Sequence, residues 1–324
     1  GIPVVAIELK NQLTGQSVDD AMRQWEYNRN PKEYAFGFNK RVLAYFACDL
    51  YNVYMTTQLN GAETVFLPFN QGSNGAGKDG GAGNPTTEDG KYVTSYFWEN
   101  VLQKDKLLDI LQKFISYERS EKKKIMPDGS TKTTVSSKVI FPRYHQLDVV
   151  RELVSHVREN GAGHNYLIQH SAGSGKSNSI AWTAYRMASL HDENNNPIFD
   201  SVIIVTDRRV LDQQLQATVS GFDHTLGSVV TIDEKKNSGD LRDAINDGKR
   251  IIISTFQKFP VIYDEVHSSV GKHYAVIVDE AHSSQTGQSA LKLKAALADV
   301  SDALQEYAEL EEKNIGSEPE QKLA

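Results

Sequence analysis

The sequence feature that most constrains the fold is a glycine-rich segment at residues 170–177, which reads His-Ser-Ala-Gly-Ser-Gly-Lys-Ser. A short apolar run at residues 166–169 precedes it, and a segment with helical periodicity at residues 177–190 follows it. A strand, a glycine-rich turn and a helix start form a phosphate-binding loop, because backbone N–H groups and the helix N-terminus favour negative charge. The strict pattern has glycine where this chain has His170. The segment predicts a nucleotide-binding α/β domain.

The residues of this segment have distinct expected roles at a bound nucleotide. The side chain of Lys176 reaches the outer phosphates, and the hydroxyl of Ser177 is a ligand of Mg²⁺. The residues that we expect to hold the phosphates are Ala172, Gly173, Ser174, Gly175, Lys176 and Ser177.

The rest of the second half of the chain alternates between apolar runs and amphipathic segments. This alternation predicts a parallel sheet with helices on both faces, in which ligands bind at the carboxyl ends of the strands. The predicted strands are residues 166–169, 202–206, 251–255 and 275–279, and the predicted helices are residues 177–190, 208–219 and 240–247.

A second motif, Asp-Glu-Ala-His at residues 279–282, follows the last of these strands. Because the strand carries Asp279 to the carboxyl edge of the sheet, this carboxylate can hold the metal ion directly or through water. Glu280 can then accept a proton from the attacking water as a general base. An isolated Asp-Glu pair carries little information, but its position after a strand and downstream of the phosphate loop predicts a hydrolytic site.

Together, residues 170–177 and 279–282 resemble motifs I and II of superfamily-two helicases. The resemblance implies ATP as the nucleotide and a RecA-like fold, and it implies that His282 reports the nucleotide state to the rest of the motor. Residues 205–209 and 254–257 resemble the helicase segments that track a DNA backbone, with ordinary loop chemistry as the alternative.

Residues 141–146 resemble the helicase segment that binds the adenine base. The resemblance implies that the amide of Gln146 hydrogen-bonds the base and that the ring of Tyr144 stacks on it. The alternative for Gln146 is a solvent-facing position on a helix.

The first part of the chain contains a candidate nuclease pair, Glu8 and Lys10. A near-continuous apolar run at residues 2–9 predicts a buried strand, and residues two apart on a strand share a face. Glu8 can then bind Mg²⁺ while Lys10 orients water at a scissile phosphate. Because Glu-x-Lys recurs elsewhere in the chain, spacing alone favours an ordinary ion pair at the end of a strand.

A charged stretch at residues 116–138 predicts a solvated linker or hairpin and marks a domain boundary, with contact to a DNA backbone as the alternative. Before it, the Asn60-Gly61 dipeptide predicts a turn between two strands. The remaining predictions are helices at residues 19–28, 41–50 and 96–114, strands at residues 53–57 and 64–67, and a long glycine-rich loop at residues 70–90.

Further segments resemble the restriction (R) subunit of type I restriction–modification enzymes, and this resemblance extends over nearly the whole chain. They are residues 4–11, 54–58, 66–70, 81–85, 96–99 and 284–287. The resemblance implies a PD-(D/E)xK nuclease-like mixed α/β domain at residues 1–115 and a charged linker at residues 116–138. It further implies a RecA-like, parallel-sheet superfamily-two helicase domain at residues 139–324.

The same resemblance implies that Glu8, Lys10 and Gln24 are nuclease residues, with Glu8 as a metal ligand. The tyrosine that the family often has four positions after the glutamine is replaced by Asn28, and Tyr27 stands beside it.

The resemblance implies an ATP-dependent DNA translocase and endonuclease, a type I site-specific deoxyribonuclease that cleaves foreign unmethylated duplex DNA. Such an enzyme uses ATP and Mg²⁺, and its partners are duplex DNA, a specificity (S) subunit and a methyltransferase (M) subunit that binds S-adenosylmethionine. The implied location is the cytoplasm of a bacterium or archaeon. The alternatives are another helicase–nuclease fusion, such as a type III restriction subunit or a repair helicase, and a nucleotide-binding scaffold without turnover.

Several parts of that family are not found in the sequence as it stands. They are an aspartate upstream of the Glu-x-Lys strand, a later motor motif and the second motor domain. We therefore expect this stretch alone to bind nucleotide without completing either reaction.

Composition excludes some classes of protein. A single cysteine, Cys48, cannot form an internal disulfide, and no stretch approaches the roughly 18 apolar residues that a membrane span needs. The formal net charge of −7 neither supports nor excludes a nucleic-acid partner, because DNA binding needs a local basic surface rather than a basic total.

Overall fold

The computed structural model describes residues 2–72, 81–87, 90–125, 131–171, 173–206, 209–221, 228–232, 236–255 and 272–279. Its internal contacts divide the chain into two compact units, unit 1 (Gly1–Val149) and unit 2 (Val150–Ala324). The division falls inside a long helix, α3 (Tyr144–Asn160).

Unit 1 contains a mixed sheet, and the strand predicted within residues 2–9 is confirmed as β1. Its predicted burial was wrong, because β1 lies at the edge of the described sheet, where its first four residues are half-buried and Leu9 is exposed. β1 runs parallel to β2, and the β2–β3 and β3–β4 pairs are antiparallel. The strands, in their order across the sheet, are β1 (Val5–Leu9), β2 (Ala44–Cys48), β3 (Val53–Thr56) and β4 (Leu67–Pro68).

The helix predicted at residues 41–50 was wrong, because this segment contains β2. All five residues of β2 are buried. Burial at consecutive positions means that both faces of the strand are covered, whereas a helix at this place would expose one side to solvent. The strand predicted at residues 64–67 begins only at Leu67, and a turn that starts at Gly61 (φ 59°) precedes it.

The predicted helix after β1 is confirmed, although it changes its winding. α1 (Val18–Arg23) starts with a capping box. The side chain of Ser17 accepts a hydrogen bond from the backbone N–H of Asp20, and the side chain of Asp20 accepts one from the backbone N–H of Ser17. The helix continues as a π-helical turn, Gln24–Asn28. On this turn Trp25 is buried, and its Nε1 donates a hydrogen bond to the Phe46 carbonyl at 2.9 Å. The turn is thereby fixed to β2.

The helix predicted at residues 96–114 forms as two pieces, a π-helical turn (Phe97–Val101) and α2 (Lys104–Lys113). An aromatic cluster fills the core beside the first piece, and its ring centroids lie between 4.8 and 6.3 Å apart. The cluster consists of Phe46, Phe69, Tyr96, Phe97, Phe141 and Tyr144.

The charged stretch after α2 forms a hairpin, one of the two forms predicted for it. β5 (Ser116–Ile125) and β6 (Thr131–Ile140) pair antiparallel along their whole length. Across the pair, Lys138 Nζ lies 2.8 Å from a carboxylate oxygen of Glu118.

Unit 2 contains the predicted parallel sheet, with strand order β10-β7-β9-β8. All six residues of β7 are buried, so helices or neighbouring structure cover both of its faces. α6 covers one face, where its Leu241 and Ile245 pack with Ile203 and Ile252. The elements are α4 (Lys176–Ala188), β7 (Ser201–Thr206), α5 (Arg209–Gly221), β8 (Val229–Thr231), α6 (Ser238–Asn246), β9 (Ile251–Thr255) and β10 (Tyr274–Val278).

The strand predicted at residues 166–169 was wrong. The segment has no strand pairing, and Leu167 is 88% exposed. Apolar composition indicates that a segment can enter a sheet, but it does not supply the neighbouring strand with which the backbone must pair.

Candidate nucleotide site and candidate nuclease cluster

The phosphate-loop segment has the local geometry that its glycines predict. Gly173 (φ 74°) and Gly175 (φ 83°) both adopt the left-handed conformation, and Gly175 is the N-cap of α4. Apart from its chain neighbours, no described residue lies within 4 Å of the position that a Cβ would take at Gly173, so glycine is favoured there by backbone conformation rather than by space. The loop therefore turns directly into the N-terminus of a helix, which is an anion-binding position.

Lys176 and Ser177 are the first two residues of α4, where both can meet a phosphate held by the loop. Ser174 is buried within the turn, and its backbone N–H donates to the Ser171 carbonyl at 3.3 Å. Ala172 lies outside the described residues.

His170 stands beside the loop lysine. Burial, and secondarily the positive charge of Lys176, lower the pKa of His170 from its ordinary value of 6.5. Near neutral pH the imidazole is therefore uncharged, and Lys176 is the residue that brings positive charge to the loop.

We expect an NMR titration of His170 to show a midpoint below 6.5. Replacing Lys176 with alanine should raise this midpoint only part of the way back, because burial is the larger cause. The resonance is assigned by comparison with His170→Asn. Because the pKa of His170 is lower in the folded state than its ordinary value, the neutral imidazole contributes to the stability of unit 2. This contribution is present above pH 6.5 and is lost as the pH falls through the lowered pKa. A midpoint at or above 6.5 would contradict the arrangement.

Asp279 directly follows β10 at the carboxyl edge of the parallel sheet. Its backbone N–H donates to the Val205 carbonyl at 3.0 Å, and its side chain is half-buried. Because Val205 lies one residue before the end of β7, Asp279 is level with the ends of the neighbouring strands. Ligands of such sheets bind at this edge, so the position suits a carboxylate that holds a metal ion. Glu280 and His282 lie outside the described residues.

Two buried hydroxyls lie at the same edge. Thr206 Oγ1 and Ser254 Oγ are 1% and 0% exposed by residue, and neither has a hydrogen-bond partner among the described residues. Buried hydroxyls normally have a partner, so these two could accept a polar ligand or water. Ser201 Oγ, at the opposite end of β7, likewise has no partner among the described residues, so the hydroxyls alone do not distinguish this edge. Both belong to the segments predicted to track DNA, whose other members at residues 207–208 and 256–257 lie outside the described residues.

The candidate adenine residues lie at the start of α3, within unit 1. Gln146 is 3% exposed, and its Oε1 accepts the Arg143 backbone N–H at 2.8 Å, so Gln146 is not a solvent-facing helix residue. Tyr144 is buried, and its hydroxyl accepts from Gln71 Nε2 at 3.2 Å. Its ring packs edge-on against Tyr96. In this arrangement Gln146 caps α3 and Tyr144 packs in the aromatic core, and their contact with adenine stays a prediction.

The structure brings the three candidate nuclease residues together at the end of β1. Lys10 Nζ donates to Gln24 Oε1 at 2.5 Å and lies 3.5 Å from Glu8 Oε1. The side chains of Glu8 and Lys10 are only 14% and 10% exposed. The cluster also contains Arg29, whose Nη2 lies 3.0 Å from Glu8 Oε2. No sequence motif pointed to Arg29.

The nearby tyrosine, Tyr27, is 68% exposed. The only cysteine, Cys48, is buried, and burial together with the Asp49 carboxylate raises the pKa of its thiol to about 12. The thiol is therefore protonated at neutral pH, which fits a packing role rather than a nucleophile.

The residues around Glu8 could supply only part of the coordination shell of a metal ion. Among the described residues, no group of three or more His, Cys, Asp or Glu side chains could hold a metal. Mg²⁺ commonly binds through one or two carboxylates and completes its shell with water and substrate phosphate. Glu8 fits such a site, as do Ser177 and Asp279 beside a nucleotide.

Residues 145–302, a little under half of the chain, match the family model described as SWI2/SNF2 ATPase. The matched stretch contains both the phosphate loop and residues 279–282. The match supports a superfamily-two helicase-like ATPase domain in this part of the chain, for which ATP and Mg²⁺ are the implied cofactors. No curated protein matches the chain. Among the described residues, no helix is long and apolar enough to cross a membrane.

Proposed function

We propose that the chain belongs to the restriction (R) subunit of a type I restriction–modification enzyme, and that it joins an ATP-driven DNA translocase to an endonuclease. The observation that carries the proposal is the pairing of two sites in one chain. Unit 2 has a phosphate loop and a strand-end aspartate within a stretch that matches an ATPase family. Unit 1 has a carboxylate, a lysine and an amide in contact at the end of a strand.

At the nucleotide site, each side chain has a separate task. Lys176 neutralises charge that develops on the outer phosphates, and Glu280 accepts a proton from the attacking water. Ser177 and Asp279 would hold Mg²⁺, which when bound polarises the phosphate oxygens. DNA binding would then be coupled to turnover through the strand-end segments that contain Thr206 and Ser254.

At the nuclease cluster, each of the three contacting residues also has a separate task. Glu8 would hold Mg²⁺, which when bound stabilises charge on the scissile phosphate. Gln24 fixes the Lys10 ammonium through the 2.5 Å hydrogen bond, and Lys10 orients the attacking water. The low exposure of the pair supports this role, because an ion pair at a half-buried strand end is costly to keep without a function.

Duplex DNA is the proposed partner of both units. In the β5–β6 hairpin, Glu118 and Glu121 are paired with Lys138 and Arg119. The sequence of the two strands also contains Lys122, Lys123, Lys124 and Lys132, which are further positive charges that suit a partner with a phosphate backbone. The methyltransferase and specificity subunits, with S-adenosylmethionine on the former, would complete the enzyme in a bacterial or archaeal cytoplasm.

Two other functions use the same residues differently. Another helicase–nuclease fusion would share both sites, but it would cleave without the methyltransferase and specificity subunits of a type I system. A nucleotide-binding scaffold would bind ATP without DNA-dependent turnover.

The test is a titration of ATP turnover against duplex DNA in the full-length protein. A translocase should hydrolyse ATP about tenfold faster or more with DNA, which corresponds to a barrier lowered by about 1.4 kcal/mol. Asp279→Asn serves as the inactive reference. Turnover that does not respond to duplex DNA would favour the scaffold.

A further inference from the structure

Arg29 engages the carboxylate that is proposed to bind the nuclease metal. Its Nη2 lies 3.0 Å from Glu8 Oε2, while Lys10 Nζ lies 3.5 Å from Glu8 Oε1. Both oxygens of this carboxylate therefore face a cation. One carboxylate and two cations leave a formal charge of +1 on the cluster. The cluster thus has more positive charge than Glu8 alone can balance.

The two cations differ in how firmly they are held. Lys10 is 10% exposed and is fixed by Gln24 as well as by Glu8. The side chain of Arg29 is 40% exposed, and its guanidinium also lies over the face of the Trp25 ring, 5.9 Å from the centroid. Arg29 is therefore the cation on the solvent side.

The π-helical turn explains why Gln24 and Arg29 reach the same place. Hydrogen bonds in a π-helix join residues five apart, which is the separation of these two residues. Gln24 begins the turn and contacts Lys10, and Arg29 ends it in extended conformation and contacts Glu8. Trp25, buried between them along the chain, anchors the turn through its hydrogen bond to Phe46.

We infer that Arg29 is a positioning residue that pairs with the Glu8 carboxylate until a divalent cation displaces the arginine. The displaced arginine then binds a phosphate of the DNA backbone. This inference rests on the proposed nuclease function. A divalent cation on Glu8 would repel the guanidinium, which at 40% exposure can turn toward solvent. A planar guanidinium is well suited to two hydrogen bonds with a phosphate.

A purely structural ion pair predicts a different response to removal of Arg29. If the arginine only holds Glu8 in place, then losing it should weaken metal binding or leave it unchanged. If the arginine competes with the metal, then losing it should strengthen metal binding. The sign of the change separates the two roles.

The test is Mn²⁺ binding to the full-length protein without nucleotide, followed by electron paramagnetic resonance of the free ion. Arg29→Ala should raise the Mn²⁺ affinity several-fold, and Arg29→Gln, which keeps a long side chain, should do the same if the alanine variant is unstable. The gain should vanish in the Glu8→Gln/Arg29→Ala double variant, which locates it at Glu8. Arg41→Ala is the matched control, because Arg41 also stacks on a ring, that of Tyr34.

Duplex DNA binding supplies the second readout, with Ca²⁺ as a divalent ion and fluorescence anisotropy as the signal. Arg29→Ala should weaken DNA binding more with Ca²⁺ than without it, because the arginine is released to phosphate only when the ion is bound. Glu8-dependent Mn²⁺ binding that is unchanged or weaker in Arg29→Ala would overturn the inference alone. Mn²⁺ binding that is insensitive to Glu8→Gln would overturn the proposed nuclease site together with it.

Discussion

Replacing Lys176 with alanine should reduce ATP hydrolysis by about 10²–10³-fold, the usual cost of removing one electrostatic stabiliser of a transition state. The lysine stands at the first position of α4, directly after the left-handed Gly175, and we expect it there to reach the outer phosphates of a bound nucleotide. Its loss should also weaken binding of Mg²⁺–ATP, because a charge-assisted contact with phosphate disappears. Calorimetry measures the binding, and phosphate release measures the turnover.

The matched control for this variant is Arg186→Ala, which removes a positive charge from the last turn of the same helix. It should leave ATP binding and hydrolysis close to those of the wild type. If Lys176→Ala binds and hydrolyses ATP as well as Arg186→Ala does, then the loop does not hold the nucleotide. The proposal would then depend on the cluster in unit 1 alone.

Replacing Glu8 with glutamine should reduce DNA cleavage by about 10³-fold, or about 4 kcal/mol, while DNA-stimulated ATP hydrolysis continues. Glutamine keeps the size of the side chain but removes the charge that a divalent metal ion needs. The side chain is 14% exposed and borders Lys10 and Arg29, so the change leaves two cations without their carboxylate. Cleavage of circular duplex DNA and ATP turnover are measured on the same preparation.

Glu99→Gln is the control for the nuclease variant, because Glu99 also pairs with a lysine, Lys91, at 3.1 Å, but at a site that is 52% exposed. It should cleave DNA like the wild type. If Glu8→Gln cleaves equally well, then the Glu8–Lys10 contact is the ordinary strand-end ion pair that spacing alone favours.

Three of the four described strands in the sheet of unit 2 could be predicted from the sequence because their signals are local, whereas the short strand β8 was not predicted. Each of β7, β9 and β10 is a short apolar run, and a parallel sheet covered on both faces requires such runs. The same reasoning failed at residues 41–50, where a buried strand was interpreted as a helix. It failed again at residues 166–169, where apolar side chains are present but none of the described strands pairs with them.

The candidate nuclease site could also be predicted only in part, because some of its contacts follow from local spacing and others depend on how distant segments pack. Glu8 and Lys10 share a face because strand side chains alternate, so their proximity follows from spacing. The contact of Gln24 with Lys10 depends on how the helix after β1 packs, and only the resemblance pointed to it. Arg29 could not be found from the sequence, since its contact with Glu8 depends on the wide winding of the turn.

At the start of α3 the sequence contains a helix-capping signal. A glutamine three residues after a helix N-cap commonly returns to the N-cap backbone N–H, as Gln146 does to Arg143. The pattern was assigned to adenine binding by resemblance, although helix capping accounts for the observed hydrogen bond.

The wide turn at Gln24–Asn28 also makes the length of this segment intolerant of change. Deleting one residue between Gln24 and Arg29 would remove the five-residue separation that matches the hydrogen-bond spacing of the wide turn. Gln24 would stay beside Lys10, while Arg29 would point away from Glu8. An insertion or deletion scan across α1 and this turn should therefore show that DNA cleavage depends more on the number of residues in this segment than on the identity of their side chains.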